Sequence, residues 1–378
     1  MPDERNSLRR LVQKSGITHV DVVAWRDLDD PEAGGSELHA DEILKRWAAA
    51  GVVIRSRTSA VPGRAACVER NGYTIIRNGG RYQVFPSVIL QGLLGRRLHR
   101  PDAVVEIWNG MPFLSPVWYR GRRLVLLHHV HGEMWQMTLP GLLGRFGWLI
   151  EHRLAPPFYR RTTIATLSNS SQREIEERMN LHRVSVVPPG IAPNFVPGTE
   201  RSVTPLVVAV GRLVPVKRFG QLIESFVEVH SMVPTSKFVI VGEGYLRTEL
   251  EELIATHGAQ EWISLPGRIS DDELLALYQR AWLVSSFSLR EGWGMSLTEA
   301  AACGTPSVAV DIAGHRDAVK NGQSGLLVEP ELVAGTIASV LVDEQRLQVL
   351  RLGALDYAKS LTWDSAALQL FQLVCKKN

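Results

Sequence analysis

Two carboxylates eight residues apart, Glu291 and Glu299, bracket a turn and a helix start in LREGWGMSLTEAAACGTP. Glu291 opens the loop and Gly292-Trp293-Gly294 turn it. Met295 to Cys303 then read as a helix, stopped by Gly304 and Pro306. Glu299 would lie just over one turn inside that helix, with Glu291 ahead of its N-terminus. The unpaired first-turn amides, near Met295, Ser296, Leu297 and Thr298, make an anion site between the two acids, for phosphate above all. Acids beside a phosphate cradle repel one another unless they bind something else, and sugar hydroxyls suit that role. A nucleotide diphospho-sugar carries hydroxyls on both sides of its diphosphate. The competing reading is a surface helix with two solvated glutamates.

A second set of candidates follows apolar runs that read as strands. Gly211 and Arg212 come directly after PLVVAV, and Lys217 follows five residues later. Ligands of open parallel sheets bind at the carboxyl ends of strands, so these cations stand where an anionic leaving group would gather. A solvated basic turn is the plainer alternative. Gly34 and Gly35 precede the helix SELHADEILKRWAAAG, where glycine allows positive φ and close backbone approach, although a Gly-Gly before a helix is mostly a turn. His128, His129 and His131 end the run RRLVLL. Their spacing on a strand end makes the rings diverge, so no metal site is expected there. Asp27 and Asp29 share D-x-D spacing in a polar loop and read as loop carboxylates. The stretch 142–161 mixes Phe146, Trp148, Leu149 and Tyr159 with four arginines, a pattern that suits a membrane interface or a helix packed on its own domain. Pro156-Pro157 are expected to end that helix early, which favours the packed reading.

The elements that must position these residues alternate regularly. Strand candidates span 18–25, 52–59, 102–109, 122–130, 162–169 and 184–191, and then 205–213, 237–244, 262–268, 281–287, 306–312 and 325–330. Strands apolar throughout and separated by helices argue for parallel sheets covered on both faces, and two such series in tandem make two doubly wound α/β domains. The break is placed near Pro193–Pro205, giving domains over 1–196 and 197–360 and a closing helix over 361–378. The 378 residues are 45% hydrophobic and 21% charged, an ordinary globular composition. Three scattered cysteines fit a reducing compartment. Neither a signal peptide nor a membrane-spanning run is visible, so a cytoplasmic protein is expected. Residues 1–196 hold 26 Lys and Arg against 18 Asp and Glu, whereas 197–378 hold 16 against 21. The basic half suits an anionic acceptor or lipid better than nucleic acid, for which no binding motif is present.

EGWGMSLTEAAACGTP resembles the E-x7-E signature of the retaining glycosyltransferases of family 4, and VGRLVPVKR resembles their G-R-x4-K element. The likeness runs over nearly the whole chain and implies the GT-B fold. That means two Rossmann-like domains facing a cleft and a C-terminal helix, with Trp363 at a commonly aromatic position, that crosses back to the first domain. It implies transfer of a sugar from a nucleotide diphospho-sugar to a hydroxyl acceptor, such as a cell-envelope glycan or glycolipid, with retention and without a metal or other cofactor. By position, Arg212 and Lys217 would hold the donor diphosphate, Glu291 the sugar and Glu299 the ribose. His129, or else His131, would stand near the transferred sugar. Gly34 and Gly35 would face the donor phosphates or the acceptor. Gly211, Gly242, Gly244 and Gly294 would line the donor site, and the segment around Arg268 would meet the base. Other GT-B enzymes, such as a nucleotide-sugar epimerase, and a non-catalytic nucleotide-sugar binding protein are the alternatives. Arg247 stands where a dinucleotide fingerprint would need its third glycine, which disfavours a dehydrogenase. Weak association with an anionic membrane completes the expectations.

Overall fold

A computed structural model describes residues 2–94, 100–132, 135, 139 and 141–376. The chain divides into two compact units, Met1–Gly190 with Trp363–Asn378, and Ile191–Thr362. Against the expected boundaries, the first division falls six residues early, ahead of the Pro-rich stretch, and the second lies two residues late.

Unit 1 is built on β1 (His19–Val23), β2 (Val53–Thr58), β3 (Cys67–Arg70), β4 (Tyr73–Arg77), β5 (Ala103–Trp108), β6 (Arg122–Leu127), β7 (Thr163–Thr166) and β8 (Val184–Val186). They form one sheet in the order β3-β4-β2-β1-β5-β6-β7-β8, parallel except where β3 pairs with β4. Its helices are α1 (Pro2–Ser15), α2 (Gly35–Ala49), α3 (Val84–Leu93), α4 (Ser115–Trp118), α5 (Leu142–Leu149), α6 (Pro156–Tyr159) and α7 (Asn169–Met179), with a π-turn over Ile150–Leu154. Every residue of β5 is buried, as helix-covered parallel strands require. One of them is Glu106, whose carboxylate accepts from the amides of Phe113 (2.6 Å) and Ser115 (3.1 Å) and from the Tyr159 hydroxyl (2.6 Å). That buried acid ties the loop after β5 to the sheet.

Unit 2 carries β9 (Leu206–Val210), β10 (Lys237–Val241), β11 (Ile263–Gly267), β12 (Leu283–Ser286), β13 (Ser307–Val310) and β14 (Gly325–Val328). All are parallel, in the order β11-β10-β9-β12-β13-β14. The helices are α8 (Phe219–Met232), α9 (Arg247–Thr256), α10 (Asp271–Arg280), α11 (Met295–Ala302), α12 (Ala313–Ala318), α13 (Val333–Val342) and α14 (Glu344–Ala358). The core joins β9, β10 and β13 to α8, α13 and α14 through Val207, Phe226, Phe238, Val308, Ile337 and Leu350.

The last helix, α15 (Trp363–Cys375), returns to unit 1, where it packs on α1, α2 and β6. Trp47 Nε1 donates to the Ala367 carbonyl (2.9 Å), and Asp364 accepts from both Arg5 and Arg46 (2.7 Å each). The expected two doubly wound domains and the returning helix are what the chain forms.

Candidate active site

Leaving aside the β3–β4 edge hairpin, the strand order of each sheet reverses once, between β1 and β5 and between β9 and β12. Loops leaving neighbouring strands at such a point diverge and open a crevice at the carboxyl ends, where α/β proteins bind ligands. Each unit gathers candidate residues at its own switch point.

In unit 2, G-R-x4-K follows β9 and E-x7-E follows β12, so adjacency of the two strands brings together motifs some seventy-four residues apart in the chain. The loops are stitched by Leu289, whose amide donates to the Val216 carbonyl (2.8 Å). Lys217 ends a 3-10 turn over Pro215–Lys217, and its stem passes over Gly211, close enough to touch a Cβ placed there. Its ammonium forms a short ion pair with Glu291, and the Ser288 hydroxyl donates to the same carboxylate oxygen (2.8 Å). Burial alone would raise the Glu291 pKa, but the Lys217 charge, with hydrogen bonds from Lys217 and Ser288, outweighs it and holds the group below its ordinary value. Glu291 is therefore an ionised, oriented acceptor. Arg212 is exposed, and its guanidinium has no hydrogen-bond or ion-pair partner among the described residues.

Helix α11 starts at Gly294, which is left-handed (φ 110°). The Leu297 amide is already used on the Gly294 carbonyl (3.0 Å), and Thr298 is buried, its hydroxyl turned back to the Met295 carbonyl (2.9 Å). Of the four expected amides, that of Leu297 is thus spent inside the turn, while those of Met295 and Ser296 lie at the half-buried tip. Glu299, half-buried in the second turn, faces the Tyr278 hydroxyl of α10 (3.4 Å), and burial lifts its pKa to about 7.

Gly242 and Gly244 have a packing role. A Cβ on Gly242 would lie 1.9 Å from the Gly211 carbonyl oxygen, and one on Gly244 would lie 2.3 Å from that of Leu213. Between them, the Leu213 amide donates to Glu243 (2.9 Å) and the Gly242 amide to Gly267 (3.0 Å). The V-G-x-G segment thereby fixes the Gly211-Arg212 loop. Arg268, next along, is exposed, and no side-chain bond holds it among the described residues.

In unit 1, Gly34 caps α2 in extended backbone, so positive φ is not why glycine stands there. The Gly34 amide donates to Glu37 (2.8 Å), the N3 half of a capping box, and Glu37 also accepts from Arg26 (3.3 Å). Gly35 opens the helix, and the next residue's hydroxyl, on Ser36, accepts from Asn109 at the end of β5 (3.3 Å). Of the three histidines only His128 turns away; His129 and His131, whose rings were expected to diverge, stack on one another. His128 is buried and meets His39 at 3.1 Å, with burial pushing its pKa down to about 4. His129 and His131 are half-buried with their rings stacked at 4.8 Å, and the His131 ring lies over Gly110. Among the described residues no group of three or more His, Cys, Asp or Glu side chains is placed to hold a metal ion. Asp27 and Asp29 lie in a loop, as expected, and are tied down by arginines. Arg77 binds both, Thr58 donates to Asp27 (3.0 Å), and Arg70 pairs with Asp29 (2.7 Å).

Two supporting residues escaped the sequence. His315, fully buried at the start of α12, donates from Nδ1 to the Val310 carbonyl (2.7 Å), while its Nε2 has no partner. Burial lowers its pKa, so a neutral ring stands behind Glu291 and Gly294. Glu151, buried in the π-turn, accepts from the amides of His131 (2.9 Å) and Gly132 (3.2 Å) and from Trp135 Nε1 (2.9 Å), which fixes the loop after β6. A lone buried Glu twenty residues from its partners leaves no sequence signal.

Two family models match the chain in tandem: Glycosyltransferase Family 4 over residues 33–195 and Glycosyl transferases group 1 over 194–353. The chain is 30% identical over 225 residues to the D-inositol 3-phosphate glycosyltransferase of Corynebacterium urealyticum, a match spanning 53% of each. It is 25% identical over 410 aligned positions to the protein of that name from Thermobispora bispora, covering 92% of this chain and 91% of the other. The chain thus spans about half the length of the first of these relatives. Among solved structures, sucrose-phosphate synthase from Thermosynechococcus elongatus superposes with TM-score 0.80 at 18% identity, over 94% of this chain and 98% of that one. Anabaena HepE, in complex with UDP and glucose, gives 0.73 at 17% over 94% and 98%. The tandem match over 33–353 and the shared fold make this chain a member of the GT-B glycosyltransferases of the family 4 type.

Proposed function

We propose that the protein moves a sugar from a nucleotide diphospho-sugar to a hydroxyl acceptor with retention at the anomeric carbon and without a metal. One observation carries the reading: an ionised Glu291, held by Lys217 and Ser288 just ahead of α11, with the exposed Arg212 on the same loop as Lys217. In this scheme the bond from the anomeric carbon to the diphosphate oxygen breaks, and the acceptor oxygen bonds to the same face. The acceptor proton passes to the departing phosphate oxygen. Arg212, Lys217 and the Met295 and Ser296 amides stabilise the charge that builds there, a preorganised arrangement worth several kcal/mol, on the order of 3 per donor. Glu291 orients the sugar hydroxyls and Glu299 accepts from the ribose. His129 and His131 would meet the sugar or acceptor, Gly34 and Gly35 the phosphates or acceptor, and Arg268 the base.

The basic first half suits an anionic acceptor, and the relatives' name makes D-inositol 3-phosphate the first one to try, ahead of envelope glycans and glycolipids. A cytoplasmic enzyme, peripheral on the inner face of a membrane, completes the proposal; its three cysteines are free thiols.

The test is a thermal-shift screen of UDP, GDP, ADP, CMP and TDP and their sugars, with and without chelator. A nucleotide at about a hundred times its Kd adds roughly 2.7 kcal/mol. A shift in the wild type that Glu299→Gln loses, unaffected by chelator, is expected, followed by an unchanged anomeric configuration in the product by NMR. No shift from any nucleotide, or an inverted product, overturns the proposal.

A further inference from the structure

The segment that begins with α5 is amphipathic the wrong way round. A helix on a globular protein turns its large apolar side chains inward. Here α5 buries Gly144 and Gly147, and the π-turn and α6 bury Glu151 and Tyr159. The inner face has no room for more, because a Cβ on Gly147 would lie 2.5 Å from the Trp135 ring. The large apolar side chains point outward: Leu142 is 81% exposed, Leu143 66%, Phe146 57%, Leu154 51% and Phe158 54%. Pro156-Pro157 do not cut this face short, because Pro156 opens α6, where proline is well tolerated.

Scattered exposed apolar residues are ordinary, but a row of them marks a contact surface. A second group of exposed apolar side chains stands on unit 1 at the end of α3, where Leu90, Leu93 and Leu94 are exposed by 55–62%. Charge then selects the occupant. Over residues 141–161 the exposed charged side chains are Arg145, Arg153, Arg160 and Arg161, and the one acid, Glu151, is buried. On the neighbouring α7 the exposed Glu177 and Arg178, which line the same hollow as Arg153 and Arg160, offset one another and leave the face basic. Trp148, stacked on His152 at 4.8 Å, is partly exposed between the apolar and basic residues. Leucine and phenylalanine beside arginines that can extend past them, with tryptophan at the margin, match the chemistry of a bilayer interface carrying anionic headgroups. No helix among the described residues is long and apolar enough to cross a membrane, so contact would be in the plane of the interface.

We infer that this face of unit 1 docks on an anionic lipid bilayer, with Leu142, Leu143 and Phe146 entering the interface and the four arginines meeting the headgroups. The inference gives a surface to the peripheral attachment proposed above. It rests on exposure and charge, not on sugar transfer, and a failed donor screen leaves it intact.

The experiment is flotation of the full chain with vesicles of phosphatidylcholine, alone or mixed with phosphatidylglycerol. Two double variants accompany the wild type: Leu143→Ser with Phe146→Ser, and Arg153→Glu with Arg160→Glu. All four side chains are exposed, so unchanged melting temperatures are expected and are checked. The wild type should float with the anionic vesicles, the serine pair should lower partitioning at least tenfold, and the glutamate pair should remove the preference for anionic lipid. Absence of flotation with either vesicle overturns the inference, as does flotation that neither variant alters. A concentration-dependent dimer that the serine pair dissolves, with no vesicle binding, would assign the face to a second copy of the chain instead.

Discussion

Glu299 is the residue whose proton decides how the donor is held. Burial lifts its carboxyl to about 7, partly offset by the Tyr278 hydroxyl and reinforced by Asp271. The folded protein therefore keeps a proton that the unfolded chain has already lost at mildly acidic pH. This group's contribution to stability is complete below the ordinary carboxylate pKa and declines as pH rises towards about 7. The melting temperature of wild type minus that of Glu299→Gln should fall over that window. A ribose diol donates hydrogen bonds to a carboxylate, so nucleotide binding needs the ionised form. The nucleotide Kd should tighten about tenfold between about pH 6 and about pH 8 in the wild type and stay flat in Glu299→Gln. A flat wild-type profile would remove Glu299 from the nucleotide site. Arg212 separates stability from catalysis. Its side chain is exposed and unpartnered, so Arg212→Ala should leave the melting temperature unchanged and lower kcat by roughly 100- to 1,000-fold, the cost of one transition-state donor. An unaltered kcat would sink its assignment.

At the scale of elements, the close approach of two loops makes the sharpest claim. Gly244→Ala drives a Cβ to 2.3 Å from the Leu213 carbonyl oxygen, a rigid backbone neighbour, and should cost about 1–3 kcal/mol in denaturant unfolding. Gly335 lies in the first turn of α13 with nothing within 4 Å of an added Cβ, so Gly335→Ala should stabilise by about 0.5–1 kcal/mol. Equal effects of the two changes would mean that contact is not what Gly244 relieves. The same packing explains what was legible in the sequence. Every strand candidate lies over an observed strand, because runs such as LVVAV are apolar throughout and AVVEIW is apolar but for the buried Glu106. The β3–β4 hairpin was missed: β3 is largely exposed and polar, and its signal is Asn71-Gly72, both at positive φ (48° and 85°). The π-turn was missed because its period is not 3.6. E-x7-E was legible since one loop and one helix contain it. The Lys217–Glu291 pair, the Ser36–Asn109 bond and the positions of His315 and Glu151 depend on strand order and on contacts distant in sequence, which local patterns do not carry.

At the scale of the whole molecule, the chain leaves unit 1, builds unit 2, and returns to complete unit 1 with α15. The return is structural rather than decorative, since Trp363, Leu370, Phe371 and Val374 are all buried, and the Phe371 ring meets Trp47 at 5.4 Å. At about 1.5–3 kcal/mol for each large apolar side chain, those four alone contribute on the order of 6–12 kcal/mol. A domain's whole stability is about 5–15 kcal/mol. Removing α15 would also leave Asp364's partners Arg5 and Arg46 without their shared carboxylate, although Glu42 still holds Arg46. A chain ended after Thr362 should therefore lose the unit 1 transition in calorimetry while the unit 2 transition persists. If the nucleotide site is confined to the loops after β9 and β12, a bound nucleotide should still raise that surviving transition. Loss of both transitions would show that unit 2 cannot fold without unit 1, and retention of both would show that α1, α2 and β6 pack stably without the helix that covers them.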